Sequence, residues 1–188
     1  MIDDALTIAL EPWLDNRGIT SAADRERGEF NVWRNSFPAE ELPPPGARVL
    51  VGGVPFVFPG RGPTGDNFRC ARQLVELRED DYDWLYVLAA AEGRTEDVAQ
   101  LHFAGGAVDV AWLRVSGFWP DSPAQFSERA AFRCDRLHYP RHAQHGFRPT
   151  IWRQRIAVTR EAPLRAVRFP DNPALHVFAL TAVARRRR

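Results

Sequence analysis

The chemically densest stretch of the chain is residues 137–146, which contains three histidines and an arginine. Histidine titrates near neutral pH, so His138 or His142 could act as a general base. Arg141, beside His142, could instead bind a carboxylate or a sugar phosphate through its paired N–H donors. An ordinary polar loop is the third interpretation of this stretch.

A metal site in this stretch has little support. His138 and His142 have the spacing of neighbours on a helix face, but Pro140 between them is incompatible with an ordinary helix. Zinc needs several protein ligands in fixed geometry, and no cysteine or carboxylate completes a recognised spacing here. We therefore predict no metal site and no cofactor.

Asp66 and Asn67 end a loop rich in Gly and Pro. Their oxygens could bind calcium or sugar hydroxyls, but calcium needs an acidic cluster that is missing from this part of the sequence. The simpler interpretation is that both side chains bond backbone amides of the loop, as Asp and Asn do readily. The same interpretation applies to two similar pairs, Asp15-Asn16 and Asp171-Asn172.

Tryptophan rings can stack on the C–H faces of sugars. Trp119 stands beside Pro120 in a predicted loop and is the best candidate for an exposed platform. Trp33 is a further candidate, whereas Trp112 and Trp152 lie within predicted strands and are expected in the core or on a sheet face.

Catalytic motifs are absent from the sequence. It has no Gly-rich phosphate loop, nucleophile elbow or HExxH motif, and the Gly-Arg-Gly-Pro at 60–63 precedes no helical pattern. All 25 basic residues are Arg, so lysine chemistry is excluded as well. These absences favour binding over catalysis.

The elements that would position these residues are strands. Alternating apolar runs flank Gly52-Gly53 and Gly105-Gly106 and predict two hairpins, and the apolar run 84–91 predicts a strand buried on both faces. Residues 38–42 predict one short helical turn. We expect an all-β fold: a single antiparallel two-sheet β-sandwich of jelly-roll type over 1–184, with at most one or two short helical turns. Residues 185–188 are expected to form a solvated basic tail.

Composition narrows the function classes. A net charge of +1 favours neither a nucleic-acid nor a membrane partner. The acidic N-terminal residues do not resemble a secretory signal, so we expect a cytoplasmic protein. In that compartment Cys70 and Cys134 are expected to stay reduced.

Several short sequence segments resemble, in the same order, segments of the galactose-binding-like β-sandwich domains appended to bacterial α-L-fucosidases and other secreted actinobacterial hydrolases. The resemblance implies a carbohydrate-binding or accessory sandwich, with a hydrolase partner or a second copy as possible partners. It rests on these segments: Leu14-Asp15-Asn16-Arg17-Gly18-Ile19-Thr20, Asn35-Ser36-Phe37-Pro38-Ala39-Glu40-Glu41-Leu42, Gly53-Val54-Pro55-Phe56, Asp66-Asn67 with Gln73, residues 85–93, and Leu175-His176-Val177-Phe178-Ala179-Leu180.

Two function hypotheses follow. The leading one is a stand-alone sandwich that binds a carbohydrate or related small polar ligand on a surface formed by Asp66, Asn67, Trp119, His138, Arg141 and His142. The alternative is a small cytoplasmic enzyme of carbohydrate or natural-product metabolism with His138 or His142 as general base. A subunit that completes another enzyme's active site would explain the same residues.

Overall fold

The computed structural model describes residues 4–60, 64–119 and 123–185. Parts of two loops (61–63 and 120–122) and three residues of the predicted basic tail (186–188) lie outside the described residues. The strands in chain order are β1 (Ala5–Ile8), β2 (Ile19–Thr20), β3 (Phe37–Pro38), β4 (Arg48–Val51), β5 (Val54–Val57), β6 (Phe68–Ala71), β7 (Leu74–Asp80), β8 (Tyr82–Ala91), β9 (Thr95–Phe103), β10 (Val108–Val115), β11 (Arg129–Arg133), β12 (Arg136–His138), β13 (Ala143–His145), β14 (Thr150–Ala157), β15 (Leu164–Arg168) and β16 (Asp171–Ala184).

Two antiparallel sheets form the frame. The large sheet has the order β11-β14-β8-β16, and β16 is long enough to pair along its other edge with both β6 and β1. The small sheet has the order β10-β9-β15-β7. Strands β7 to β9 and β14 to β16 alternate between the two sheets, as in a jelly roll. The predicted all-β jelly-roll sandwich is confirmed.

The large sheet is covered on both faces, and β8 shows this in its side chains. Leu85 and Val87 point into the core between the two sheets. Tyr86 and Leu88 point into a second core on the opposite face. The second core is closed by an outer layer, which we define as the short pairs β2–β3, β4–β5 and β12–β13 with their connections. The sequence predicted a strand buried on both faces, and β8 confirms it.

Short helical turns are more numerous than expected. The described residues form four three-residue 3-10 turns, Glu11–Trp13, Arg25–Arg27, Ala39–Glu41 and Ala104–Gly106, where at most two were predicted. A single turn is too short to leave a periodic apolar pattern, so the sequence indicated only the one at Ala39–Glu41. The β2–β3 pair is parallel, as is the isolated bridge between Ala91 and Gly117, whereas the other strand pairs among the described residues are antiparallel.

Both predicted hairpins form. Gly52 and Gly53 connect β4 to β5 with φ of 56° and 83°, and Gly105 and Gly106 connect β9 to β10 with φ of 78° and 89°. These left-handed conformations favour glycine because it has no Cβ.

The ends of the described chain meet in the large sheet, because β1 pairs with β16. Arg185 was predicted to begin the solvated tail, but it is fixed to the fold: its Nε lies 2.9 Å from Asp83 Oδ1, and its backbone N–H donates to Asp81 O. The described part of the chain contains no helix long and apolar enough to cross a membrane.

The two cysteines are buried in different cores. Cys70 belongs to the core between the sheets and Cys134 to the core beneath the outer layer. Burial raises the pKa of Cys134 to about 12 and that of Cys70 well above its usual value. Both thiols are therefore poor nucleophiles.

Candidate functional site

His138 ends β12 and points into the protein. Its side chain is 1% exposed, and its Nδ1 lies 3.1 Å from the Thr20 hydroxyl, which in turn lies 2.6 Å from the Ser36 hydroxyl. Its backbone exchanges two hydrogen bonds with Ser36. Burial lowers the pKa of His138, so it is held neutral below the surface.

Arg141 and His142 occupy the exposed turn between β12 and β13. The turn is closed by a hydrogen bond of 2.8 Å from Tyr139 N–H to His142 O. The imidazole of His142 stacks on the Tyr139 ring with centroids 4.8 Å apart and planes 3° apart. Arg141 and His142 therefore share an exposed turn, whereas His138, three residues before Arg141, points into the protein.

Asp66 joins two distant segments of the outer layer. Its carboxylate oxygens accept hydrogen bonds of 3.0 Å from the backbone N–H groups of Gly18 and Ile19. Asn67 Nδ2 donates to the same carboxylate at 2.9 Å. Burial raises the pKa of Asp66 to about 7, although these hydrogen bonds act to lower it. The predicted bonding to backbone amides is observed, but to amides 47 and 48 residues away rather than to those of its own loop.

Asn67 extends this array to a histidine that sequence reasoning did not single out as a site residue. Asn67 Oδ1 lies 2.8 Å from Nδ1 of His176, whose ring is buried and stacks on Phe30 at 4.1 Å. His176 Nε2 lies 4.0 Å from Glu92 Oε1. Burial lowers the pKa of His176, as it does that of His138. A lone histidine within the apolar run of β16 was the available signal.

Trp119 packs between Phe118 and Phe147, with ring centroids 5.2 Å and 5.4 Å away. It is 39% exposed, against 57% for Trp112 and 63% for Trp33. Trp119 was expected to be better exposed than the tryptophans within strands, and this is wrong for Trp112. Trp152, by contrast, is buried as predicted.

The six residues expected to share a ligand surface fall into two groups. Asp66 and His138 approach β2 from two sides, bonding Ile19 and Thr20 respectively, and both are buried together with Asn67. The other three, Trp119, Arg141 and His142, reach solvent. The fold therefore does not bring all six to one surface.

An open groove lies elsewhere, where the edges of the two sheets meet. β10 is the edge strand of the small sheet, and β14 pairs with β11 only as far as Arg153. Beyond Arg153, β14 lies beside β10, and Gln154 Nε2 of β14 donates to Arg114 O of β10 at 2.6 Å. The groove has a volume of about 430 Å³. We call it the edge groove, and its lining is Trp84, Val110, Ala111, Trp112, Arg114, Phe126, Ser127, Gln154, Arg155, Ala157 and Thr159.

Two arginine–tryptophan pairs line the edge groove. The guanidinium carbon of Arg114 lies 4.1 Å from the centre of the Trp112 ring, and that of Arg155 lies 4.3 Å from the Trp84 ring. Both distances are within the range of cation–π attraction. Sequence reasoning placed Trp112 in the core or on a sheet face, and it lies on the exposed face of β10. Val108 and Val110, on the same face of β10, are exposed too, although an apolar residue at every second position would suggest a buried face.

Two other clefts are less suited to a polar ligand. A cleft of about 480 Å³ at the start of β16 is lined by charged groups that neutralise each other, with Arg72 3.3 Å from Asp171. A smaller cleft of about 180 Å³ between β1, β5 and β16 is mainly apolar. Among the residues that the structure describes, no three His, Cys, Asp or Glu side chains are grouped to hold a metal ion.

The two packed antiparallel sheets place the chain in the class of β-sandwich domains. A family model for the AziU2-like beta-sandwich domain matches residues 5–186, and the chain belongs to that family. No curated protein matches the sequence. The family confirms the β-sandwich part of the resemblance described above, but not a galactose-binding-like type or an association with fucosidases.

Proposed function

We propose that the protein is a non-catalytic β-sandwich that binds a carbohydrate or a related small polar ligand in the edge groove. The observation that carries this proposal is the pair of arginine–tryptophan stacks, Arg114 on Trp112 and Arg155 on Trp84, in one open groove. This position differs from the surface expected from the sequence.

The lining of the edge groove combines the two contacts that a sugar needs. Arg114 lies over the Trp112 ring, but Trp112 is still 57% exposed, and the uncovered part of its ring offers an apolar platform for the C–H face of a sugar. The guanidinium groups and the hydroxyls of Ser127 and Thr159 can donate hydrogen bonds to ring substituents. A groove of about 430 Å³ has the size of a small-molecule site.

The exposed residues Trp119, Arg141 and His142 are the second candidate for binding the same ligand class. The Trp119 ring is partly covered by Phe118 and Phe147, however, and His142 already stacks on a tyrosine. The enzyme hypothesis has less support, because His138 is buried against Thr20 and cannot meet a substrate without rearrangement. Its other candidate base, His142, is exposed but stacks on Tyr139, away from the edge groove. A cytoplasmic location and a hydrolase or second copy as partner stay part of the proposal.

Calorimetric titration with a panel of sugars and sugar acids tests the proposal. We expect at least one member to bind, and we expect Trp112→Ala to weaken that binding about tenfold because the stacking platform is lost. Trp33→Ala is the matched control, since Trp33 is equally accessible but does not line the edge groove. Equal losses in both variants, or no binding across the panel, would remove the basis for this function.

A further inference from the structure

Arg155 has an unusual environment for an arginine on a strand. It is exposed on β14, stacks on Trp84 at 4.3 Å, and has no carboxylate within ion-pair distance among the described residues. None of the Arg155 side-chain N–H groups donates to a described residue, so these donors are available to a ligand. The stack also limits the rotamers of the side chain, so less entropy is lost when the donors bind a ligand.

Arg114 supplies a second positive charge to the edge groove. It stacks on Trp112 at 4.1 Å, and its Nε lies 3.4 Å from Glu96. Glu96 is shared, because Arg94 is bonded to it as well. The ion pair therefore holds Arg114 in place and only partly offsets its charge.

Two acidic residues next to the edge groove are bonded to arginines that do not line it, and a third, Glu128, is buried and accepts hydrogen bonds from Ser116 and from backbone N–H groups. Asp109, on β10, accepts two hydrogen bonds from Arg160, at 2.6 and 2.9 Å. Asp83, adjacent to Trp84, lies 2.9 Å from Arg185 Nε. Among the described residues, no carboxylate lines the edge groove, so its two guanidinium groups leave it net positive.

Resting on the proposed function, we infer that the ligand of the edge groove is an anion: a sugar or similar ring compound that carries a phosphate, sulfate or carboxylate group. The Arg155 guanidinium binds two oxygens of that group through its free N–H edge. Trp112 contacts the ring, and Arg114 contributes long-range attraction. Paired N–H donors match the planar geometry of a carboxylate and two oxygens of a phosphate.

The experiment compares each neutral sugar with its charged forms. Glucose and galactose are titrated beside their 6-phosphates and their uronic acids, into the wild type, Arg155→Gln and Arg165→Gln. Arg165 is an exposed arginine of β15 that does not line the edge groove, so its substitution removes the same charge elsewhere. We expect the anionic member of a pair to bind about tenfold more tightly or better, and we expect Arg155→Gln but not Arg165→Gln to abolish that preference.

The outcomes separate this inference from the proposed function. If neutral and anionic members bind equally and Trp112→Ala still weakens both, the inference is overturned and the proposed function stands. The inference is also overturned if Arg155→Gln and Arg165→Gln reduce the anionic preference equally, because net charge rather than the groove would then explain it. If no sugar of the panel binds, in neutral or charged form, both the inference and the proposed function are overturned.

Discussion

The buried polar side chains of the outer layer are bonded within the protein, whereas the arginines of the edge groove are open to solvent. In the outer layer Asp66 bonds the backbone of β2 and its neighbour Gly18, while His138 bonds Thr20. In the edge groove, Arg155 is exposed and its donors have no carboxylate partner in the described part of the chain. A polar group whose bonds are made within the protein stabilises the fold, whereas one left open to solvent can bind a ligand.

The difference follows from where each region lies. The outer layer closes a second core over the large sheet, so the polar groups of its irregular segments are buried and must be bonded. The edge groove lies where two sheet edges meet, and solvent reaches both of its walls. The following predictions test this division between a structural and a binding region.

The largest effect is expected at Asp66. Asp66→Ala leaves the buried N–H groups of Gly18 and Ile19 without their acceptor, and we expect it to lower the free energy of unfolding by about 3 kcal/mol or more. Urea denaturation measures this loss. Asp171→Ala is the control, because Asp171 belongs to the exposed Asp-Asn pair of β16, and we expect a change of less than about 0.5 kcal/mol. Equal effects at the two positions would contradict the structural role of Asp66.

The contribution of Asp66 to stability should depend on pH. In the folded protein Asp66 keeps its proton up to a pH of about 7. In the unfolded chain Asp66 releases this proton near the ordinary pKa of 3.8. The contribution is therefore largest in acid and falls as the pH rises between these values. We expect the unfolding free energy of the wild type minus that of Asp66→Asn to fall by about 2 kcal/mol from about pH 5 to pH 8.

The Asp66→Asn comparison isolates one titration. His138 and His176, whose pKa values are lowered by burial, titrate in both proteins. His176 is linked to Asp66 through Asn67, and Asp66→Asn keeps a side-chain oxygen that can accept from the Asn67 amide, so the array around His176 is retained. Urea denaturation at a series of pH values gives the difference directly. A difference that is constant, or that grows as the pH rises, would show that Asp66 is ionised in the fold across this range.

Two neighbouring arginines of β14 provide a smaller contrast. Arg153 donates to Val51 O at 3.0 Å and to Gly52 O at 3.1 Å, which holds the β4–β5 hairpin against the large sheet. We expect Arg153→Gln to lower the free energy of unfolding by about 1–2 kcal/mol and Arg155→Gln to lower it by less than about 0.5 kcal/mol. For ligand affinity we expect the opposite: Arg155→Gln should weaken binding more than Arg153→Gln does. Thermal unfolding of both variants measures the loss of stability, and ligand titration measures the loss of affinity. If the same variant showed the larger loss in both measurements, the division between a structural and a binding region would be contradicted.

The smallest effect is expected at His142. It is exposed and contacts Tyr139 through a ring stack in a hairpin turn. We expect His142→Ala to change stability by less than about 0.5 kcal/mol and to leave binding in the edge groove unchanged. A loss of binding would place the ligand at the β12–β13 turn after all.

The parts of the fold that depend on local chemistry could be predicted from the sequence. Gly52-Gly53 and Gly105-Gly106 mark hairpins because the turn conformation itself requires glycine. The continuous apolar run of β8 predicts burial on both faces. The pairing of β1 with β16, which joins the two ends of the described chain, has no local signal, and the sequence did not predict it.

The candidate site depends on contacts between distant residues. The inward direction of His138 is set by its pairing with Ser36, and the charge of Asp109 is offset by Arg160, 51 residues later. Alternation along β10 shows that Trp112 and Leu113 face opposite sides, but it does not indicate which side is the core. No local pattern therefore separates an open guanidinium from a paired one.

Indole N–H signals in an NMR titration test the central claim most directly. The chain has six tryptophans, and the signals of Trp84 and Trp112 report on the edge groove while that of Trp119 reports on the surface near the β12–β13 turn. With the tightest-binding sugar of the panel, we expect the largest shifts at Trp84 and Trp112 and little change at Trp119. Shifts centred on Trp119 and on the backbone of Arg141 and His142 would contradict binding in the edge groove.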